Sequence, residues 1–125
     1  MKKALKTKKA PDAIGPYSQG IEAGDLVFVS GQIPINPATG KVEVTDIESQ
    51  TRQVFENLKA VLLEADLGLE HVVKVGVFIT TFDDFKAMNA VYAEYFPGDP
   101  PARSTVAAAG LPLGARVEID VIARR

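Results

Sequence analysis

The sequence predicts an α+β fold in which two helices cover one face of a β-sheet. Strand-like segments occur in groups, two further segments have helical periodicity, and 46% of the 125 residues are apolar. No internal repeat, low-complexity tract or long linker divides the chain. We therefore expect a single domain that spans residues 1–125.

The first predicted elements are strands. Five lysines lie between Lys2 and Lys9, and a solvated terminal strand explains them better than a nucleic-acid-binding arm. Segments Ile21–Ala23 and Leu26–Ser30 are rich in β-branched or aromatic residues and flank the turn dipeptide Gly24-Asp25, which predicts a hairpin. The turn-forming residues from Gly31 to Gly40 predict an irregular loop that ends the second strand.

Two helices follow from periodicity and capping signals. Thr45 and Glu48 match the S/T-x-x-E capping box, and apolar residues then recur at helical spacing until Gly68, a natural helix stop. A second apolar stripe begins after Thr81 and ends at Pro97. Each helix is expected to pack one face on the sheet.

The remaining strands are predicted at residues 71–79, 104–107 and 117–123, the last two separated by a loop at 110–114. The first and last of these are apolar on both faces, or nearly so. Two helices cover only one face of the sheet. Because the chain has no spare element for the other face, we expect self-association with closed symmetry.

Composition excludes several classes of function. The chain has no cysteine, so disulfides, thiolate nucleophiles and cysteine-built metal sites are absent, and His71 is its only histidine. Its net charge of −2 provides no positive field for nucleic acid or anionic membranes. The N-terminus lacks the apolar segment of a secretory signal, which favours the cytoplasm, and no phosphate-binding glycine motif is present.

Arg103 is the strongest candidate for ligand binding. It follows two prolines and precedes a strand, so its backbone is stiffened, and a guanidinium fork matches a carboxylate. The alternative is an ordinary ion-pair arginine. Glu118 shares its strand face with Ile122; it is either a solvated acid or, at an oligomer interface, a desolvated general base. Asn89 is polar on an apolar helical stripe and needs hydrogen-bond partners, for instance as a tether between helix and loop.

The chain resembles the RidA/YjgF family of reactive enamine/imine deaminases nearly from end to end. The resemblance is carried by the segments Ala13-Ile14-Gly15-Pro16-Tyr17-Ser18-Gln19, Ser30-Gly31-Gln32-Ile33-Pro34, Asn89-Ala90-Val91-Tyr92, Pro101-Ala102-Arg103-Ser104 and Val117-Glu118-Ile119. It implies a chorismate-mutase-like fold, with a mixed sheet, two helices on one face, and a homotrimer whose active sites lie in clefts between subunits.

The resemblance also implies roles for individual residues. Arg103 binds the substrate carboxylate, and Glu118 positions or activates water. The pocket is lined by Tyr17, Ser30, Gly31, Asn89 and Thr105. Thr105 stands where many members carry cysteine, so its contribution is expected to be backbone and shape more than essential side-chain chemistry.

The implied reaction is hydrolysis of 2-aminoacrylate, 2-aminocrotonate and their imine tautomers to 2-oxo acids and ammonia. Such intermediates are released by pyridoxal-phosphate-dependent dehydratases, which would be the functional partners. No cofactor or metal is expected, since an imine carbon is already electrophilic. The alternatives are a non-catalytic trimeric sensor of small 2-oxo acids and, with less support, an RNA-cleaving or chaperone-like protein.

Overall fold

A computed structural model describes residues 1–125 as a six-stranded sheet, a two-stranded hairpin and two α-helices. The strands are β1 (Lys2–Leu5), β2 (Gly20–Ala23), β3 (Leu26–Gln32), β4 (Ile35–Asn36), β5 (Lys41–Val42), β6 (Val72–Ile79), β7 (Ala102–Ala107) and β8 (Val117–Arg124). The helices are α1 (Ile47–Glu64) and α2 (Phe85–Tyr95). The predicted α+β fold with two helices is confirmed.

The large sheet is mixed, with strand order β1-β2-β3-β8-β6-β7. Only β6 and β7 are parallel, because α2 connects them as a crossover; every other neighbouring pair is antiparallel. Strand β7 lies at one edge and β8 near the middle. The sheet and helices enclose one main core of 22 buried residues.

Both helices pack on the same face of the sheet, which we call the helix face. Alternate residues of β8, such as Val117, Ile119 and Val121, point into this core and are almost fully buried. The opposite, outer face is uncovered in the single chain: Phe28 is 41% exposed and Val106 46% exposed. The prediction that the two helices leave one face of the sheet uncovered is therefore correct.

The expected ends of the first helix are wrong by one to four residues. The N-cap is Asp46, not Thr45, and its carboxylate accepts a hydrogen bond from the Ser49 N–H at 2.9 Å. The helix ends before Gly68, because Asp66 adopts a left-handed conformation with φ of 58°. Gly68 is instead extended and precedes a short 3-10 turn.

Other boundaries also differ from the sequence-based expectation. Thr81 caps a 3-10 turn over Phe82–Asp84, and α2 starts only after it. Part of the loop predicted after Ser30 forms strands instead: β3 continues to Gln32, and β4 pairs with β5. The register of β3 against β8 shifts between Val29 and Gln32, which takes the intervening residues out of regular pairing. No helix is both long and apolar enough to cross a membrane.

Candidate active site

Arg103 lies on the edge strand β7 with its side chain on the helix face. It is paired in register with Val75, which is fully buried beneath the helices. The guanidinium Nη1 donates a 2.7 Å hydrogen bond to Oδ1 of Asn89 on α2. Asn89 therefore has the hydrogen-bond partner that its position required, but it joins the helix to strand β7 and not to a loop: the amide oxygen fixes one side of the arginine fork.

The guanidinium of Arg103 has no carboxylate partner within the chain. The ion pairs all join other residues. Its remaining neighbours are aromatic: Cζ lies 4.6 Å from the ring centroid of Tyr92 and 5.7 Å from that of Phe85. No ion pair within the chain neutralises Arg103, so its charge is free to meet an anionic group of a ligand or of another subunit.

Thr105 follows on the same face of β7, in register with the buried Val77. Its hydroxyl is buried and has no hydrogen-bond partner, and the same is true of the Tyr92 hydroxyl. Two unpaired hydroxyls among the residues around Arg103 are unusual, because buried polar groups are almost always hydrogen-bonded. Arg103, Asn89 and Thr105 form what we call the arginine cluster.

Glu118 belongs to a different group of residues, on the outer face of β8. Its register partner on β6 is Phe78, and the residues on either side of it in the chain are buried in the core. The carboxylate lies against Gly31: a Cβ atom at that position would collide with Oε2 of Glu118. The bulge in β3 and the missing side chain together let this backbone approach the carboxylate.

A cavity of about 70 Å³ opens beside this carboxylate. Its walls are formed by Pro11, Asp12, Ile14, Tyr17, Gln19, Gly31, Gln32, Ile33, Ile35, Pro112 and Glu118. We call Tyr17, Ser30, Gly31 and Glu118 the carboxylate cluster. The largest groove of the chain, about 820 Å³, lies elsewhere, along α1 and the end of α2, and none of the predicted site residues lines it.

The hydroxyls of the carboxylate cluster have defined local partners. Ser30 Oγ donates to the carbonyl of Ser18 at 2.6 Å, and the Ser30 N–H donates to the carbonyl of Gln19 at 2.9 Å. These bonds attach the loop that carries Tyr17 to the end of β3. The phenol of Tyr17 accepts a 3.2 Å hydrogen bond from the Ile14 N–H and is 48% exposed. Ser30 therefore shapes the cavity, while Tyr17 presents its ring at the rim.

Partial burial raises the pKa of Glu118, and the nearby negative charge of Asp120 raises it further. Asp120 is on the same face, and burial raises its pKa too, against opposing effects of the Gly76 N–H and Lys74. Arg103 does not contribute to either shift within the chain. With its raised pKa, the Glu118 carboxylate binds a proton more tightly than an ordinary glutamate and is a better proton acceptor.

The predicted site residues therefore form two separate clusters rather than one. The arginine cluster lies on the helix face beside α2, and the carboxylate cluster lies on the outer face near the loop of Tyr17. Arg103 and Glu118 point to opposite faces of the same sheet. No group of three His, Cys, Asp or Glu side chains is arranged to hold a metal ion.

Sequence reasoning missed one residue in contact with Arg103. Tyr92 lies one helical turn after Asn89 on α2, and its ring faces the guanidinium. In the sequence it is one of several aromatic residues on an apolar stripe, which is typical of a core position. The spacing of three residues from Asn89 was the available signal, because such residues are neighbours on a helix surface.

Comparison with known proteins agrees with this architecture. The family model described as Endoribonuclease L-PSP matches residues 7–125. A RutC family protein of Pyrococcus horikoshii is 50% identical over 123 residues, covering 98% of this chain and 98% of the relative. The chloroplastic Reactive Intermediate Deaminase A of Arabidopsis thaliana is 45% identical over 122 residues, covering 98% of this chain and 65% of the relative.

Solved structures of similar proteins share this fold over nearly the whole chain. The crystal structure of Escherichia coli TdcF with bound serine superimposes with a TM-score of 0.94 at 43% identity, covering 98% of each chain. The crystal structure of yeast Mmf1 gives a TM-score of 0.95 at 41% identity and covers 100% of this chain and 99% of the other. Identity of this order over the whole length, together with the family-model match, shows that the chain belongs to the RidA/YjgF family.

Proposed function

We propose that the protein hydrolyses small 2-enamino and 2-imino acids to 2-oxo acids and ammonia, as a 2-iminobutanoate/2-iminopropanoate deaminase. The observation that carries this proposal is the state of Arg103. The guanidinium is fixed by Asn89 but not neutralised by any acid, as a carboxylate-binding arginine requires. Relatives named reactive intermediate deaminase support the reaction class, and the serine bound to TdcF supports a small amino-acid-like ligand.

The separation of the two clusters supports an active site shared between subunits. A ligand held by Arg103 on the helix face cannot reach Glu118 on the outer face of the same chain. In a cyclic homotrimer, the arginine cluster of one subunit would meet the carboxylate cluster of its neighbour. The exposed apolar side chains of the outer face, among them Phe28 and Val106, support burial of that face between subunits.

In the proposed mechanism, Arg103 binds the substrate carboxylate through its free guanidinium N–H groups. This orients the C=N carbon toward a water held by Glu118 of the neighbouring subunit and by the Gly31 carbonyl. The water oxygen attacks the carbon while Glu118 takes a proton from the water. The proton then passes to the imine nitrogen, which gives a carbinolamine. Glu118 next transfers the hydroxyl proton to the nitrogen, so that the C=O bond forms, the C–N bond breaks, and ammonia and the 2-oxo acid are released. These steps call on protein groups and water.

The test couples the purified protein to a threonine dehydratase, which releases 2-aminocrotonate, and follows the formation of 2-oxobutanoate. We expect the wild-type protein to accelerate this step and Arg103→Ala to abolish the acceleration. The matched control is Arg52→Ala, because Arg52 forms an exposed ion pair with Glu94 and has no hydrogen bond or ion pair with a member of either cluster. Acceleration by Arg103→Ala equal to that of the wild-type protein would refute the proposal.

Two other outcomes would assign the site differently. Calorimetric binding of 2-oxobutanoate without any turnover would make the protein a sensor built on the same pocket. Salt-dependent binding and cleavage of RNA would instead support the activity named in the family description. The net charge of −2 argues against the RNA-cleaving alternative.

A further inference from the structure

The face of the Tyr92 ring lies against the guanidinium of Arg103. The distance from Cζ of Arg103 to the ring centroid is 4.6 Å, well within the range of a cation–π interaction. Tyr92 and Asn89 lie one turn apart on α2, so one helix surface contacts the guanidinium in two ways. Asn89 accepts a hydrogen bond from it, and Tyr92 supports it with a ring face.

The ring of Tyr92 is itself held in place by other aromatic side chains. It meets Phe55 edge-on, with centroids 5.7 Å apart, and packs against Phe96 at 4.9 Å. Tyr92 is only 6% exposed and Phe55 is fully buried. The ring therefore cannot turn away without disturbing the core, and it offers Arg103 a rigid support.

We propose that Tyr92 is a positioning residue that orients Arg103 for binding the substrate carboxylate. It acts through Arg103 and does not touch the substrate. A free arginine side chain samples many rotamers, so a ring on one side and an amide on another leave its fork pre-organised. The inference rests on the proposed function in so far as Arg103 is the carboxylate ligand.

The ring, not the hydroxyl, supplies this support. The hydroxyl of Tyr92 is buried and has no hydrogen bond of regular geometry. Burial raises the Tyr92 pKa, and the nearby Arg103 guanidinium lowers it, so the hydroxyl lies close to the guanidinium without a well-aligned bond to lose. Phe85 is the other aromatic neighbour of Arg103, but its centroid is 5.7 Å from Cζ and its support is weaker. Phenylalanine at position 92 should therefore retain the function, and leucine should lose it.

The first test measures binding by calorimetry for Tyr92→Phe and Tyr92→Leu. The ligands are 2-oxobutanoate and its uncharged amide, 2-oxobutanamide. We expect Tyr92→Leu to weaken carboxylate binding about tenfold, the loss of a partly desolvated cation–π contact, and to leave amide binding unchanged. Tyr92→Phe should stay within about twofold of wild type for both ligands. In the coupled assay, KM should rise in Tyr92→Leu while kcat is largely kept.

A core control separates positioning from general damage. Leu62→Ala removes a fully buried apolar side chain of the same core, on the other helix α1. It should lower the free energy of unfolding without changing the ratio of carboxylate to amide affinity. Unchanged carboxylate binding in Tyr92→Leu would overturn the inference, and so would an equal loss in Tyr92→Phe, which would assign the effect to the hydroxyl.

A second test needs no ligand and so distinguishes this inference from the proposed function. The Nε–Hε group of Arg103, observed by ¹⁵N NMR relaxation in the wild-type protein, reports the mobility of the guanidinium. We expect it to be ordered in wild type and Tyr92→Phe and mobile in Tyr92→Leu. An ordered signal in Tyr92→Leu would overturn the inference even if the deaminase activity is confirmed. Loss of order with no deaminase activity would refute the proposed function alone.

Discussion

Glu118 and Arg103 are prepared for chemistry in different ways by the folded chain. Arg103 keeps its charge and gains a fixed orientation from Asn89. Glu118 is partly desolvated beside Asp120, so its pKa rises. The first arrangement suits an anchor and the second suits a proton acceptor. These two states explain why the proposed roles are not interchangeable.

The raised pKa of Glu118 predicts a specific dependence of stability on pH. The folded chain binds this proton more tightly than the unfolded chain, so the stability that protonation gives is fully present below the ordinary glutamate range. It is lost as the pH rises through the raised pKa. We expect Glu118→Gln to remove part of this decline in urea unfolding of the Arg103→Ala protein, in which no guanidinium from a neighbouring subunit opposes the shift, and Asp120 to contribute another part. A decline equally steep in Arg103→Ala with and without Glu118→Gln would contradict the prediction.

Replacement of Gly31 by alanine is expected to lower activity with little effect on folding. In Gly31→Ala, the new Cβ would collide with the end of the Glu118 side chain, which can move aside at low cost. The displaced carboxylate would no longer hold water correctly, and we expect about a 100-fold loss of kcat, the scale of one misplaced catalytic group. The control is Gly110→Ala, since a Cβ there meets nothing within 4 Å. Equal activity in both variants would show that the contact is unimportant.

At the scale of elements, α1 positions the backbone that follows Gly31. Asn57, which is 1% exposed, donates hydrogen bonds to the carbonyls of Ile33 at 3.1 Å and Ile35 at 2.9 Å. These bonds fix the segment that leaves β3 and forms part of the cavity wall. The helix thus supports the carboxylate cluster from behind, across the sheet.

Asn57→Ala is therefore expected to destabilise the protein by about 2–4 kcal/mol, because two buried carbonyls lose their donor. Urea unfolding measures this loss. Gln53→Ala is the comparison: Gln53 is partly exposed and donates only to the Asn57 amide oxygen, so one buried oxygen instead of two loses its donor, and we expect a smaller loss of about 1 kcal/mol. Equal stability of the two variants would rule out this role of Asn57.

The sequence was informative about elements where a local signal existed. Periodicity identified both helices, and β-branched runs identified the central strands. The cap at Asp46 was missed because Thr45 offered an equally good side chain one residue earlier. The stop at Asp66 was missed because only a left-handed backbone, and no glycine, marks it. The order in β3 beyond Ser30 depends on pairing with β8, a contact that local composition does not record.

At the scale of the whole molecule, the sheet divides the site residues between its two faces. Strand alternation in the sequence tells which residues of one strand share a face. It does not tell which face of β7 lies on the same side of the sheet as a given face of β8. That relation is set by the register across β6, where Val75 lies opposite Arg103 and Phe78 opposite Glu118. The sequence therefore indicated the candidate residues, and the structure adds that one chain places them in two clusters on opposite faces of the sheet.

We propose that Arg103 and Glu118 act together across a subunit boundary, and mixed oligomers distinguish this arrangement from a site within one chain. Arg103→Ala and Glu118→Gln chains, each inactive alone, are unfolded together in equal amounts and refolded. In a cyclic trimer every mixed assembly contains one interface with both native residues, so random mixing should restore about a quarter of the wild-type activity. Sites contained within single chains predict no restoration, and an inactive mixture of folded trimers would contradict the claim.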